Sequence, residues 1–259
     1  MSHSVRDQLG PLARRSIARS IRQPLLVVPG FIFPLFMLAV LSAAGGQVTK
    51  VPGFPTHSYL TFILGSTMIM GATGAMNTAG SALANDIESG FLNRLALTPI
   101  RGAALVSAQL AGAAVLGCVQ ASLTLLVGLA GGASVKAGVL GALTLIPLVV
   151  LIVIAFGAVG VFVAVRTGSA TGVQSLSSIG LALLFMSSMV MPRNLMTKEW
   201  FKAIATYNPV SYLVESTRSL LITGWDGQAL ALGSGVAAAV LILALAASIV
   251  TLESRLVRT

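Results

Sequence analysis

The chain has 259 residues, 56% hydrophobic and only 9% charged, with a formal charge of +9, against roughly 25% charged in an ordinary soluble domain. That composition, with a mean hydropathy of +0.93, excludes a soluble enzyme, a disordered chain and a disulfide-rich secreted domain. One cysteine, Cys118, and two distant histidines, His3 and His57, argue against an internal disulfide and a metal centre, and in so apolar a chain the basic excess reads as membrane orientation rather than a nucleic-acid footprint.

Residues 4–22 place Val5, Leu9, Leu12, Ile17 and Ile21 at helical spacing, with Arg14, Arg15, Arg19 and Arg22 on the remaining surface. This pattern fits an amphipathic helix at the inner membrane interface, its arginines among the lipid headgroups, or a plain basic anchor. Beyond it the charged residues leave six charge-free windows: 23–49, 51–85, 102–135, 137–165, 167–192 and 227–252. Each exceeds the ~20 apolar residues that cross a ~30 Å hydrocarbon core, and the ~10-residue alternating strands of a membrane barrel are absent from the pattern. The expected fold is all-α and integral to the membrane, with six transmembrane helices at about 24–45, 59–83, 103–130, 139–165, 170–191 and 229–251. Pro24, Pro29 and Pro34 bend the first span, and no small-residue cleavage site marks it as a signal peptide.

Lys and Arg set the orientation. Ten of them (Arg6, Arg14, Arg15, Arg19, Arg22, Arg94, Arg101, Arg166, Arg255 and Arg258) fall on the side of the termini. The other six are Lys50, Lys136, Arg193, Lys198, Lys202 and Arg218, four of them in segment 193–224. Both termini are expected in the cytoplasm.

Segment 85–101 lies between spans two and three. Asp86 and Glu88 are expected near the start of a short helix, where the helix dipole favours anions. Phe91, Leu92, Leu95 and Ile100 form an apolar stripe away from the bilayer, and Pro99 ends the helix. Such a stripe points to a cytoplasmic protein partner. In or near the spans the notable polar residues are few. Asn77, Gln109, Gln120 and Gln174 serve either interhelical hydrogen bonding or a translocation path. The methionines Met68, Met186 and Met189 either pack or line that path.

Segment 193–224 is expected to form two short helices at the outer face. Leu195, Met196, Trp200, Ile204 and Tyr207 share one face of the first. Asn208-Pro209 then reads as an N-cap followed by a first-turn proline, and Glu215 and Arg218 have the i,i+3 spacing of an ion pair.

The pattern Asp86-x-Glu88-x-Gly90 with Leu95-x-x-Thr98-Pro99, and the run Tyr207-Asn208-Pro209-Val210-Ser211-Tyr212-Leu213-Val214-Glu215-Ser216-Thr217-Arg218, resemble the permease subunits of type-2 ABC transporters. The similarity covers the whole chain and is nearest to the daunorubicin-resistance permease group of bacterial drug and lipid exporters. Asn93 departs from it, standing where that family often has an acidic residue.

The resemblance implies a non-catalytic permease domain over 1–259 in a bacterial inner membrane. It would work as a dimer, with a second copy or a sister permease, alongside separate ABC ATPase subunits. It further implies that Asp86, Glu88, Gly90, Phe91, Leu92, Leu95, Thr98 and Pro99 couple to the ATPase. Trp200, Tyr207, Asn208, Pro209, Tyr212, Glu215 and Arg218 would belong to the external gate. The chain itself has no G-x-x-x-x-G-K-[ST] loop, so ATP and Mg would be bound by the partner. No span core carries Asp, Glu, Lys or Arg, which disfavours an ion-gradient-driven carrier. Low aromatic content, 6%, favours a hydrophobic or amphipathic cargo over a glycan.

Overall fold

The computed structural model describes residues 24–90 and 102–256; residues 4–22 and Phe91, Leu92, Leu95, Thr98 and Pro99 lie outside this range. Eight α-helices are described: α1 (Pro24–Ala44), α2 (Tyr59–Glu88), α3 (Gly102–Ala130), α4 (Gly138–Thr167), α5 (Ala170–Phe185), α6 (Glu199–Tyr207), α7 (Pro209–Ile222) and α8 (Gly227–Leu256). Short 3₁₀ turns cover Gly45–Lys50 and Arg193–Leu195, and no strand occurs among the described residues.

Among the described residues, five segments are long and apolar enough to cross a membrane: Gly30–Lys50, Tyr59–Glu88, Leu105–Ala130, Gly138–Thr167 and Gly227–Leu252. The sixth expected span, 170–191, is helical only as far as Phe185. Its 16 residues reach about 24 Å, short of a ~30 Å core. The cause is local. The Ser187 hydroxyl accepts the Met189 N–H at 3.2 Å, and the Ser188 N–H is taken by the Ser211 hydroxyl at 3.2 Å. Serine side chains thereby capture the amides that would have extended the helix.

Helix α2 is the hub, packed against α1, α3, α4, α5 and α7. Its apolar window is 78% buried, against 17% in the first span and 22% in the last. The outer helices must therefore bury their remaining apolar faces in lipid or against another subunit. Close approach at the hub needs small residues. A Cβ on Gly160 would lie 2.0 Å from the Met76 carbonyl oxygen, and one on Gly80 would lie 2.6 Å from the Gly160 carbonyl oxygen. At this crossing the backbones of α2 and α4 touch, and any side chain on Gly160 would force them apart.

The far end of α2 differs from the sequence expectation. The helix continues to Glu88, so Asp86 and Glu88 sit in its last turn rather than at the start of a new helix. The run Asn85-Asp86-Ile87-Glu88 holds no breaker, and the helix stops where Gly90 takes φ +68°. Asp86 is buried, while Glu88 is exposed.

Candidate functional site

Two regions gather the chemistry. The first is a cleft of about 240 Å³ between α1, α2 and α5. Gly30, Phe33 and Pro34 form one wall, Met70, Thr73 and Asn77 a second, and Gln174, Ser177, Ser178 and Leu181 a third. Asn77 is held by the Ser81 hydroxyl, which donates to its Oδ1 at 3.1 Å. Gln174 is exposed. The lining carries hydroxyls and amides but no ionised side chain.

Among the other sequence-picked path residues, Met68 and Met189 are fully buried in the packed core and Met186 is half-buried. Gln120 lines a smaller neighbouring hollow between α1, α2 and α3, which shares Gly30, Gly74 and Thr78 with the cleft. It lies over Gly71, where a Cβ would come within 2.3 Å of its Oε1, and its Nε2 donates to the Thr124 hydroxyl at 3.1 Å. The structure thus brings Asn77 and Gln174 together and leaves Met68, Met186, Met189 and Gln120 outside the cleft.

The second region closes the bundle at the Tyr59 end of α2. Asn208 begins α7: its Oδ1 accepts the Val210 N–H at 3.0 Å, and Pro209 occupies the first turn. Its Nδ2 donates at 2.6 Å to the Leu183 carbonyl, tying the cap to the last turn of α5. The Tyr212 hydroxyl donates to the Thr206 carbonyl at 3.0 Å, fixing the angle between α6 and α7. Trp200 and Tyr207 point outward, 63% and 87% exposed, so neither packs into the cap.

The i,i+3 pair expected between Glu215 and Arg218 does not form. Glu215 is instead ion-paired with Arg193, whose guanidinium also lies over the Tyr212 ring, 5.0 Å from its centroid. Burial works to lower the Arg193 pKa, but hydrogen bonding and charge attraction from Glu215 outweigh it and raise the pKa above the ordinary value.

Arg218 turns inward and is 7% exposed. Its Nε donates to the Phe62 carbonyl at 3.3 Å. Nη2 reaches the Ser66 hydroxyl at 3.1 Å and the Ser188 and Met189 carbonyls at 2.9 and 3.0 Å. The guanidinium lies 3.7 Å from the centroid of the Phe62 ring, within cation–π range. The Ser66 hydroxyl also donates to the Met189 carbonyl, and the Tyr59 hydroxyl to the Val190 carbonyl at 2.9 Å. These donors satisfy carbonyls of the non-helical segment that follows α5, which have no helical partners of their own. Tyr59, Phe62, Ser66, Ser188 and Arg193 were not singled out from the sequence. The available signal was a lone arginine within the apolar face of α7, together with a Ser-Ser pair at 187–188.

Residues 7–222 match the profile of the ABC-2 type transporter family. The chain belongs to this family. Two curated relatives carry the name transport permease ycf38. The protein from Pyropia yezoensis is 27% identical over 226 residues, covering 85% of this chain and 75% of the relative. The one from Porphyra purpurea is 26% identical over 233 residues, covering 87% and 78%. As an ABC-2 permease, the chain is a transmembrane, non-catalytic subunit, and ATP hydrolysis belongs to its ABC ATPase partner.

Proposed function

We propose that this permease is the membrane half of an ATP-driven exporter in a bacterial cell membrane. It carries a hydrophobic or amphipathic cargo outward: a drug, a lipid or a lipid-linked metabolite. Drug efflux with antibiotic resistance and lipid export are the two physiological forms of this reading. The observation that supports it best is the α1–α2–α5 cleft, with apolar walls, hydroxyl and amide groups and no ionised lining residue. A carrier driven by protons or sodium places ionisable groups at membrane depth; an uncharged cleft suits cargo drawn from lipid.

In this reading both termini are cytoplasmic. The non-helical piece 186–192 completes a sixth crossing after α5, and α6 with α7 caps the outer end as a gate. Segment 85–101 docks on the ATPase, which binds ATP and Mg. A second copy of the chain, or a sister permease, covers the exposed sides of α1 and α5.

The test begins with pull-down of the tagged chain and reconstitution with the ATPase recovered. ATP-dependent movement of a lipophilic dye is expected, with Asn77→Leu and Gln174→Leu altering dye preference. Glu88→Lys is expected to leave the protein in the membrane and abolish stimulation of the ATPase. Recovery of no ATPase, or dye movement driven by an ion gradient without ATP, refutes the proposal.

A further inference from the structure

A second cleft, of about 380 Å³, opens at the Tyr59 end, beyond the α1–α2–α5 cleft. Arg218 forms its floor, Phe62 and Pro192 its apolar sides, and Arg193, Glu215 and Asp226 its charged rim. Phe62 lies in the first turn of α2 and Ala229, also lining the cleft, in the first turn of α8. The cleft therefore sits where two spans begin, at the depth of lipid headgroups. The exposed Trp225 beside Asp226 fits that level, since tryptophan collects at membrane interfaces.

Arg218 has binding capacity left on this side. Nε and Nη2 make all four of its hydrogen bonds, and Nη1 has no acceptor among the described residues. Because Arg218 lines the cleft, Nη1 is the donor that an oxygen acceptor there would meet. In the same lining, Asp226 uses Oδ1 to cap α8, accepting the Gln228 and Ala229 N–H groups at 3.0 Å each, which leaves Oδ2 for a donor. Glu215 is already engaged by Arg193.

We infer that this cleft binds a phosphodiester bearing a primary amine, as in a phosphoethanolamine headgroup. Its phosphate oxygens accept from Arg218 Nη1 and its ammonium donates to Asp226. A purely anionic headgroup leaves Asp226 facing negative charge. A quaternary ammonium has no N–H for the carboxylate, and the one aromatic face in the lining, Phe62, is already covered by Arg218. The ligand is either a bilayer lipid resident in the permease or the cargo at its exit.

The test uses the full chain in lipid-free detergent, titrated with short-chain phosphoethanolamine, phosphocholine and phosphoglycerol lipids of equal chain length. Phosphoethanolamine is expected to bind about tenfold tighter than either rival, the scale of one charge-assisted hydrogen bond. Asp226→Asn keeps a residue able to cap α8. It should leave thermal unfolding of the lipid-free protein unchanged and erase the preference for phosphoethanolamine over phosphocholine. Equal binding of the three, tighter phosphoglycerol binding, or a preference that survives Asp226→Asn overturns the inference. Vesicles holding the chain with its ATPase and a labelled phosphoethanolamine lipid separate the two sources. Selective binding with ATP-dependent transfer between leaflets identifies the cargo, and selective binding without transfer identifies a resident lipid. Transfer without selective binding again overturns the assignment of the cleft.

Discussion

Arg218→Met removes the guanidinium that joins α7 to α2 and to the broken end of α5, while keeping an unbranched apolar stem against Phe62. Its four hydrogen bonds are not lost equally. The Met189 carbonyl keeps the Ser66 hydroxyl at 3.3 Å, and the Phe62 carbonyl keeps its place in the α2 ladder. The Ser188 carbonyl, bound at 2.9 Å by Nη2, is left without this donor. A stranded buried carbonyl costs about 1–3 kcal/mol, and hydrogen bonds to a charged group contribute about 1.5–3 kcal/mol each. Against this, methionine removes the several-kcal/mol penalty of holding a cation out of water. The balance is a local loss of about 2 kcal/mol, which raises the open population of 186–192 roughly 30-fold. Arg218→Lys should fall in between, because one ammonium cannot bridge α2 and both carbonyls as the planar guanidinium does. Hydrogen–deuterium exchange of the chain in lipid nanodiscs reads this directly at the Ser188 and Met189 amides. Unchanged protection at 186–192 would refute the account, and so would an equal rise in exchange along α4, which would mean general loosening.

Gly160→Ala places a Cβ 2.0 Å from the Met76 carbonyl oxygen. It should cost at least the ~1–3 kcal/mol of an overpacked core, seen as a lower Tm, whereas Gly235→Ala meets open space and should be tolerated. Asn208→Ala loses both the α7 cap and the bond to the Leu183 carbonyl. Each contributes about 1 kcal/mol, so the expected outcome is normal membrane insertion with altered transport; wild-type transport and unchanged exchange in α7 would count against a gating role. With Cys118 replaced, single cysteines at Lys50 and Ser134 should react with an impermeant thiol reagent in whole cells, and one at Arg94 should not. The reverse labelling pattern would invert the orientation.

Hydrophobic content is visible in sequence because a span needs only a long run of apolar residues, so the helical membrane class and five of the crossings could be read from charge-free windows. Where a helix ends depends on competition between backbone and side-chain hydrogen bonds, and composition does not record that competition. Between Ala170 and Met191 the chain stays apolar, yet the hydroxyls of Ser187 and Ser211 take two amides and the helix stops at Phe185. At the other end of α2 the acidic pair looked like the start of a helix, but Gly90 is the first residue that ends the one already running.

Arg218 shows the same limit at the candidate site. Sequence spacing offers it Glu215, a partner on its own helix, but the carboxylate pairs with Arg193, 22 residues away. The acceptors Arg218 finds are backbone carbonyls, which every residue carries and no sequence pattern marks. The two findings are linked through one physical cause. A helix broken inside a packed apolar bundle leaves buried carbonyls that need partners, so the break at Phe185 is tolerable only if donors arrive from elsewhere. Helix α7 delivers them through Arg218, with Ser66 and Tyr59 of α2 completing the set. The short fifth helix and the inward arginine are therefore one feature, and removing either side should expose the other.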